Sequence, residues 1–193
     1  MTAGARFALA VLTAAASLVG PAAAQRPHRT GLWFEIGSGP AHLRVACAGC
    51  DDVTTSSGAS GYIRIGGVIS DKVLLGIESF GFGQDSIGCG GGTVTVDVLW
   101  FPWRSGAFLK GGVGAAGGAF TVIDSTGTLV EAQGEGIGLA LGLGWDVPIS
   151  RKFALTAHAS AYITGIGDVV LPTVTVDDVI ATMYHITLGF TFR

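Results

Sequence analysis

The sequence predicts an all-β chain, an eight-stranded antiparallel up-and-down barrel that crosses a membrane. Three observations predict it. The 193 residues are poor in charge, with Asp, Glu, Lys and Arg together at 13% against roughly 25% in an ordinary soluble domain. They are rich in glycine, 32 in all, and glycine is costly inside a helix. Apolar and small polar residues alternate with period two in eight separate segments, the spacing of a strand with one face in an apolar phase.

The first residues are read apart from the fold. Arg6 precedes the apolar run Phe7 to Val19, which leads through Gly20-Pro21 to Ala22-Ala23-Ala24. A basic start, a short apolar core and a small-residue cleavage site make a secretory signal peptide, and the run is shorter than the roughly 20 residues of a spanning helix. Residues 1–24 are therefore expected to be removed and 25–193 to form one barrel domain. Gln25 rather than cysteine follows the site, so no lipid anchor is indicated. With a mean hydropathy of +0.56 and no long apolar helix in the remainder, a closed barrel is the membrane solution that pairs every backbone group.

The alternation gives strands at Leu32 to Val45, Gly61 to Ile69, Val73 to Gly83, Thr93 to Phe101, Ala107 to Val122, Gly136 to Val147, Phe153 to Gly165 and Val179 to Phe192. Most are near the 9–11 residues of a tilted membrane strand. Gly37, Gly39-Pro40 and Gly117-Gly118 suggest bulges or strand ends in the longer two. Ser70-Asp71-Lys72, Trp103-Arg104 and Ser150-Arg151-Lys152 read as tight turns. Ala46 to Ser60, Gln84 to Gly92, Ile123 to Glu135 and Ile166 to Asp178 read as long loops. That alternation matches short periplasmic turns and longer extracellular loops, with both termini periplasmic.

The faces sort once the phase is fixed. In the sixth strand Ile137, Leu139, Leu141, Leu143, Trp145 and Val147 oppose a face of glycine, alanine and Asp146; in the eighth, Ile180, Tyr184, Ile186, Leu188, Phe190 and Phe192 share one side. The other face is mostly Gly, Ala, Ser and Thr, too plain for a soluble surface and suited to a packed lumen, which an eight-stranded barrel has just room to fill. Phe34, Trp100, Trp145, Phe153, Phe190 and Phe192 fall near the turn ends, as an interfacial girdle requires.

With its signal peptide, eight strands, alternating connections and the aromatic last strand Met183-Tyr184-His185-Ile186-Thr187-Leu188-Gly189-Phe190-Thr191-Phe192-Arg193, the whole mature chain resembles the small OmpA/OmpX-type outer-membrane β-barrels. The resemblance implies an outer-membrane location in a Gram-negative-type bacterium and contact with outer-membrane lipids and lipopolysaccharide. It also implies assembly by the barrel-assembly machinery, which reads a last strand that usually ends in an aromatic residue. Here Phe192 is penultimate and Arg193 terminal. The resemblance specifies location and fold and no activity.

Six lumen-phase charges are the candidate structural network: Glu35, Arg64, Glu78, Asp97, Lys110 and Asp146. Arg64 and Glu78 are equidistant from Asp71, and Asp97 and Lys110 from the Trp103-Arg104 turn, so each pair is expected face to face. Buried charges persist when paired. Glu35 and Asp146 have no evident partner, with His158 and His185 as candidates. His158-Ala159-Ser160 is similar to the His-x-Ser strand motif of outer-membrane lipid A deacylases, which makes a lipid A-modifying enzyme the alternative reading; the residues that flank that motif in the family are absent. A narrow transporter of small solutes or ions is a further alternative.

Cys47, Cys50 and Cys89 fall in the first two long loops, where an oxidising compartment favours a disulfide whose pairing the spacing leaves open. The long loops carry acidic residues without Lys or Arg, and Asp51-Asp52 and Asp177-Asp178 are candidate divalent-cation ligands. No cofactor is implied, and nothing in the charge pattern points to nucleic acid. The expected function is that of a structural or surface-interaction barrel with a side-chain-filled lumen and no catalysis.

Overall fold

In the computed structural model, the described residues are 31–46, 54–84, 89–103, 105–123, 129–170 and 175–193. The expected leader lies outside them. The chain is a closed antiparallel barrel of eight strands in sequence order, β1 (Leu32–Ala46), β2 (Thr54–Ser70), β3 (Val73–Gln84), β4 (Cys89–Trp100), β5 (Ala107–Ile123), β6 (Leu129–Pro148), β7 (Phe153–Val170) and β8 (Thr175–Phe192). Closure comes from β1 against β8, with Phe34 opposite Phe192 and Ala46 opposite Ile180. Backbone pairing without an edge is the condition for a sheet in lipid.

The period-two pattern places the side chains as the sequence predicts on the strands nearest the turns. Ile137, Leu139, Leu141, Leu143, Trp145 and Val147 are exposed on the outside of β6, while Ala140 and Asp146 are buried within. On β8, Ile186, Leu188 and Phe190 are 67, 62 and 59% exposed and alternate with buried His185, Thr187 and Thr191. A wall whose outer side chains are this large and this apolar has its stable solvent in hydrocarbon. The expected girdle residues Phe34, Trp100, Trp145, Phe153, Phe190 and Phe192 all stand on that outer wall.

Three sequence expectations are corrected. The long loops are largely strand: β2 begins at Thr54, β6 at Leu129 and β8 at Thr175. Ladder pairing engages the backbone whatever the side chains, so hairpins continue past the apolar band through Thr54–Ser60, where the apolar alternation ends. The bulges fall at Val68/Ser70 and around Gly167, which has φ +70°, and the Gly37–Pro40 and Gly117–Gly118 stretches keep register with β2 and β6. The β4–β5 hairpin is centred one residue later than expected, so that Asp97 faces Gly112 and Lys110 faces Leu99. There Gly106 adopts φ +91°, a conformation glycine takes without steric cost. Phe101, whose amide still donates to the Lys72 carbonyl at 2.8 Å, packs inside on Phe108, with ring centroids 5.2 Å apart.

The interior is layered. Trp33, Leu74, Leu99, Phe101 and Phe108 fill the turn-side end, and Leu43, Phe80, Phe82, Val179, Ala181 and Met183 the loop-side end. Between them lies the charged layer.

Candidate functional site

The charged layer is built on a row that runs across three strands. Glu35 on β1 faces Arg64 on β2, and Arg64 faces Glu78 on β3. Inward phase on adjacent strands puts the three side chains into one slice of the lumen, and all three are at most 1% exposed. The Arg64 guanidinium divides its donors between the two carboxylates: Nη1 donates to Glu35 Oε2 at 3.1 Å, and Nε donates to Glu78 Oε2 at 2.8 Å, joined by Nη2 on the same oxygen. A planar fork of donors makes arginine suited to this bridging.

The far wall completes the layer. Lys110 Nζ reaches Glu78 Oε1 as an ion pair and donates to the Tyr162 hydroxyl at 2.9 Å, while Tyr162 itself donates to Glu78 Oε1. Asp97 stands 3.7 Å from Arg64 Nε and 3.8 Å from Lys110 Nζ through Oδ2. Lys110 thus meets Asp97 diagonally and not face to face. Tyr62 donates to Glu35 Oε1 at 2.6 Å, and its ring lies 5.2 Å from the Arg64 guanidinium carbon. Lys110 Nζ sits 4.6 Å from the Tyr162 ring centroid. Cations over aromatic faces in a dry interior gain from the ring quadrupole.

Space for this layer depends on the neighbouring backbone. A Cβ at Gly37 would lie 2.6 Å from Tyr62 Cε1, closer than any real contact, so the β1 backbone is bare where the Tyr62 ring crosses it.

Glu35 and Asp146 have other partners than the expected histidines. Glu35 takes Arg64 and Tyr62, as described. Asp146 accepts from Thr156 Oγ1 at 2.8 Å and pairs with the Arg193 guanidinium, so the terminal residue folds its side chain across the turn-side mouth. His158 Nδ1 contacts Thr187 Oγ1 at 2.9 Å and His185 Nδ1 contacts Ser60 Oγ at 3.4 Å. The imidazoles stack edge to face, centroids 4.9 Å apart.

Sequence reasoning missed the Glu35–Arg64 pairing, along with Tyr62 and Tyr162. Glu35 and Arg64 are equidistant from Gly49-Cys50; that centre was the available signal, obscured by the polar stretch to Ser60. The tyrosines fall in the inward phase of their strands, and a large aromatic in an otherwise small-residue face was their signal.

His158 and Ser160, the alternative catalytic pair, both point into the lumen and are buried. The His158 Nδ1 partner is Thr187, and Ser160 Oγ has no hydrogen-bond partner among the described residues. No group of three or more His, Cys, Asp or Glu side chains among the described residues could hold a metal ion. Cys47, Cys50, Asp51 and Asp52 lie outside the described residues. Cys89 opens β4, and Asp177 and Asp178 lie in β8 with their side chains outside the description.

No family model matches this chain, and no curated protein matches it in sequence. Solved structures do match in shape. Neisserial surface protein A superposes with a TM-score of 0.54 at 16% identity, covering 83% of this chain and 96% of its own. Ail, the attachment invasion locus protein of Yersinia pestis, gives a TM-score of 0.57 at 15% identity over 84% of this chain and 99% of its own. The fold is that of small outer-membrane barrels. At such identity the likeness is one of architecture, and a second structure of Ail, in complex with the heparin analogue sucrose octasulfate, repeats it with a TM-score of 0.54 at 15% identity, covering 84% of this chain and 99% of its own.

Proposed function

We propose that this chain is a non-catalytic barrel of the outer membrane of a Gram-negative-type bacterium, closed to solutes and offering its loop-end hairpins as a contact surface. The observation that carries the reading is the buried layer of Glu35, Arg64, Glu78, Asp97, Lys110, Tyr62 and Tyr162. Side chains from five consecutive strands and from β7 meet there in mutual contact, with apolar clusters above and below. Charges paired and hydrogen-bonded on both sides hold their positions, and a fixed ionic layer across an eight-stranded lumen blocks passage.

The surface role is supported by the length of β2, β6, β7 and β8, which carry the hairpins past the apolar band. The names of the two solved proteins, a surface protein and an attachment protein, are consistent with it. In this reading the turns and both termini face the periplasm, outer-membrane lipids surround the wall, and the barrel-assembly machinery inserts it.

Membrane fractionation with heat-modifiable migration on a gel tests the location, and planar-bilayer recording tests the closure. A barrel that migrates faster unboiled, partitions with outer membranes and shows no porin-sized conductance is expected. A soluble periplasmic protein would overturn the location, and a steady wide-pore conductance would overturn the closed lumen.

A further inference from the structure

The outer wall is not evenly ridged. On β7 the outward residues Ala157, Ala159 and Ala161 follow one another between bulky neighbours. Ala161 faces Leu141 of β6 and Tyr184 of β8, and Ala159 faces Leu143 and Ile186. The backbone is therefore a floor, with leucine on one bank and Tyr184 and Ile186 on the other, and the shallow, open groove so formed offers about 640 Å³ and runs on to Pro40 and His42 of β1. Because the groove faces hydrocarbon, in the reading proposed above, what lies in it is an acyl chain.

The groove's upper end has a charge to match a headgroup. His42 faces Tyr184 across the β1–β8 seam, and Arg44 stands two residues further on the same face; both are exposed. From Leu32 to His42 the chain climbs about 25 Å along the axis at roughly 3.3 Å per residue and a tilt near 40°, the height of the apolar band in such barrels. His42 and Arg44 therefore stand at the level of lipid phosphates on the loop side. His42 Nδ1 bonds Ser57 Oγ at 2.9 Å, which fixes the ring and leaves Nε2 for a ligand. Among the described residues, Arg44 is the basic side chain on the outward face of the loop-side halves, and nearby loops are acidic in sequence.

We propose that the β6–β7–β8–β1 wall holds one phosphate-bearing lipid of the loop-side leaflet, its chain in the alanine-floored groove and its phosphate on Arg44 and His42. The inference rests on the outer-membrane reading and names the lipid class that reading would place at this wall. Specificity arises from the two ends together, because the groove alone accepts any chain and Arg44 with His42 alone accepts any anion.

The test reconstitutes the full chain in phosphatidylcholine vesicles containing diphosphoryl lipid A and counts lipid A molecules retained on the barrel by native mass spectrometry after detergent release. Arg44→Gln is expected to lower retention about fivefold, the factor one basic residue supplies at an anionic lipid surface, and His42→Gln to lower it further. Ala161→Leu and, separately, Ala159→Leu fill the floor and are expected to lower retention of lipid A and of phosphatidylcholine alike, which Arg44→Gln does not. Equal lipid A retention in all variants, each folded by heat-modifiable migration, overturns this inference alone. Failure of the unaltered chain to insert into vesicles overturns it together with the outer-membrane reading.

Discussion

Glu35 and Arg64 face each other across the first hairpin, and Glu35 Oε2 accepts from Arg64 Nη1 at 3.1 Å while the same guanidinium holds Glu78 on the other side. One cation thereby ties three consecutive strands together at a point where none of the three side chains touches water. Removing either carboxylate leaves a charge with half its partners in a dry interior. Glu78→Ala is expected to destabilise the barrel by roughly 3–5 kcal/mol, as breaking one side of a buried pair does. The double variant Arg64→Ala/Glu78→Ala is expected to cost less than the sum of the singles. Urea unfolding in lipid vesicles measures both, and additive costs would mean that the pair carries no coupling.

Lys110 provides a second cycle. It meets Asp97 diagonally at 3.8 Å but pairs closely with Glu78, so Lys110→Met is expected to couple strongly with Glu78→Gln and weakly with Asp97→Asn in the same unfolding assay. Stronger coupling to Asp97 would restore the face-to-face register that the Trp103-Arg104 turn suggested.

Gly37 is the place where volume rather than charge decides. A methyl group there has the Tyr62 Cε1, Cζ and hydroxyl as its nearest neighbours, at 2.6 to 2.8 Å, so Gly37→Ala is expected to cost about 1–3 kcal/mol as an overpacked site. Tyr62→Leu shortens the side chain, and in its background the same substitution is expected to cost clearly less. An unchanged cost would place the strain in the β1 backbone.

How much of this was legible in the sequence depends on what each residue faces. The outer side of β6 from Ile137 to Val147 was readable because every outward position there is a large apolar side chain, whereas Thr54–Ser60 of β2 pairs just as well but lies beyond the apolar band, so its side chains carry no alternation to read. Arg64 opposite Glu78 could be placed because the Ser70–Lys72 turn is short. Glu35 opposite Arg64 could not, since the centre of the first hairpin is hidden in a polar stretch. Asp97 was misplaced by two positions along β5 because the positive φ of Gly106 moves the turn, and a glycine does not announce in sequence which conformation it takes.

The outer wall yields a separate prediction. Leu141 stands in mid-band on β6, 58% exposed, and Leu141→Arg is expected to cost about 2–4 kcal/mol in lipid vesicles, the range for a cation at the bilayer midplane of such barrels. The same change at Leu32, 75% exposed at the turn-side start of β1, is expected to cost at most about 1 kcal/mol because the side chain reaches the interface. Equal costs at the two positions would show that the wall has no hydrocarbon-facing middle.

Orientation is the last quantity to fix, and labelling reads it more directly than proteolysis. The turn at Ile149–Lys152 is compact, with Ser150 Oγ accepting from the Phe153 and Lys152 amides at 3.1 and 3.3 Å, so a protease is hindered there on either side of the membrane. Small thiol reagents are not. In a background with Cys47, Cys50 and Cys89 changed to serine, Arg151→Cys is expected to react with a membrane-impermeant maleimide only after the outer membrane is permeabilised. Thr126→Cys, between β5 and β6, is expected to react in intact cells. The basic turn residues Lys72, Arg151 and Lys152 are all exposed, and in the proposed orientation they would meet anionic phospholipid headgroups, worth about 1 kcal/mol per residue by analogy with juxtamembrane basic segments. Labelling of Arg151→Cys in sealed cells with Thr126→Cys protected would invert the barrel, and would move Arg44 and the groove below it to the inner leaflet.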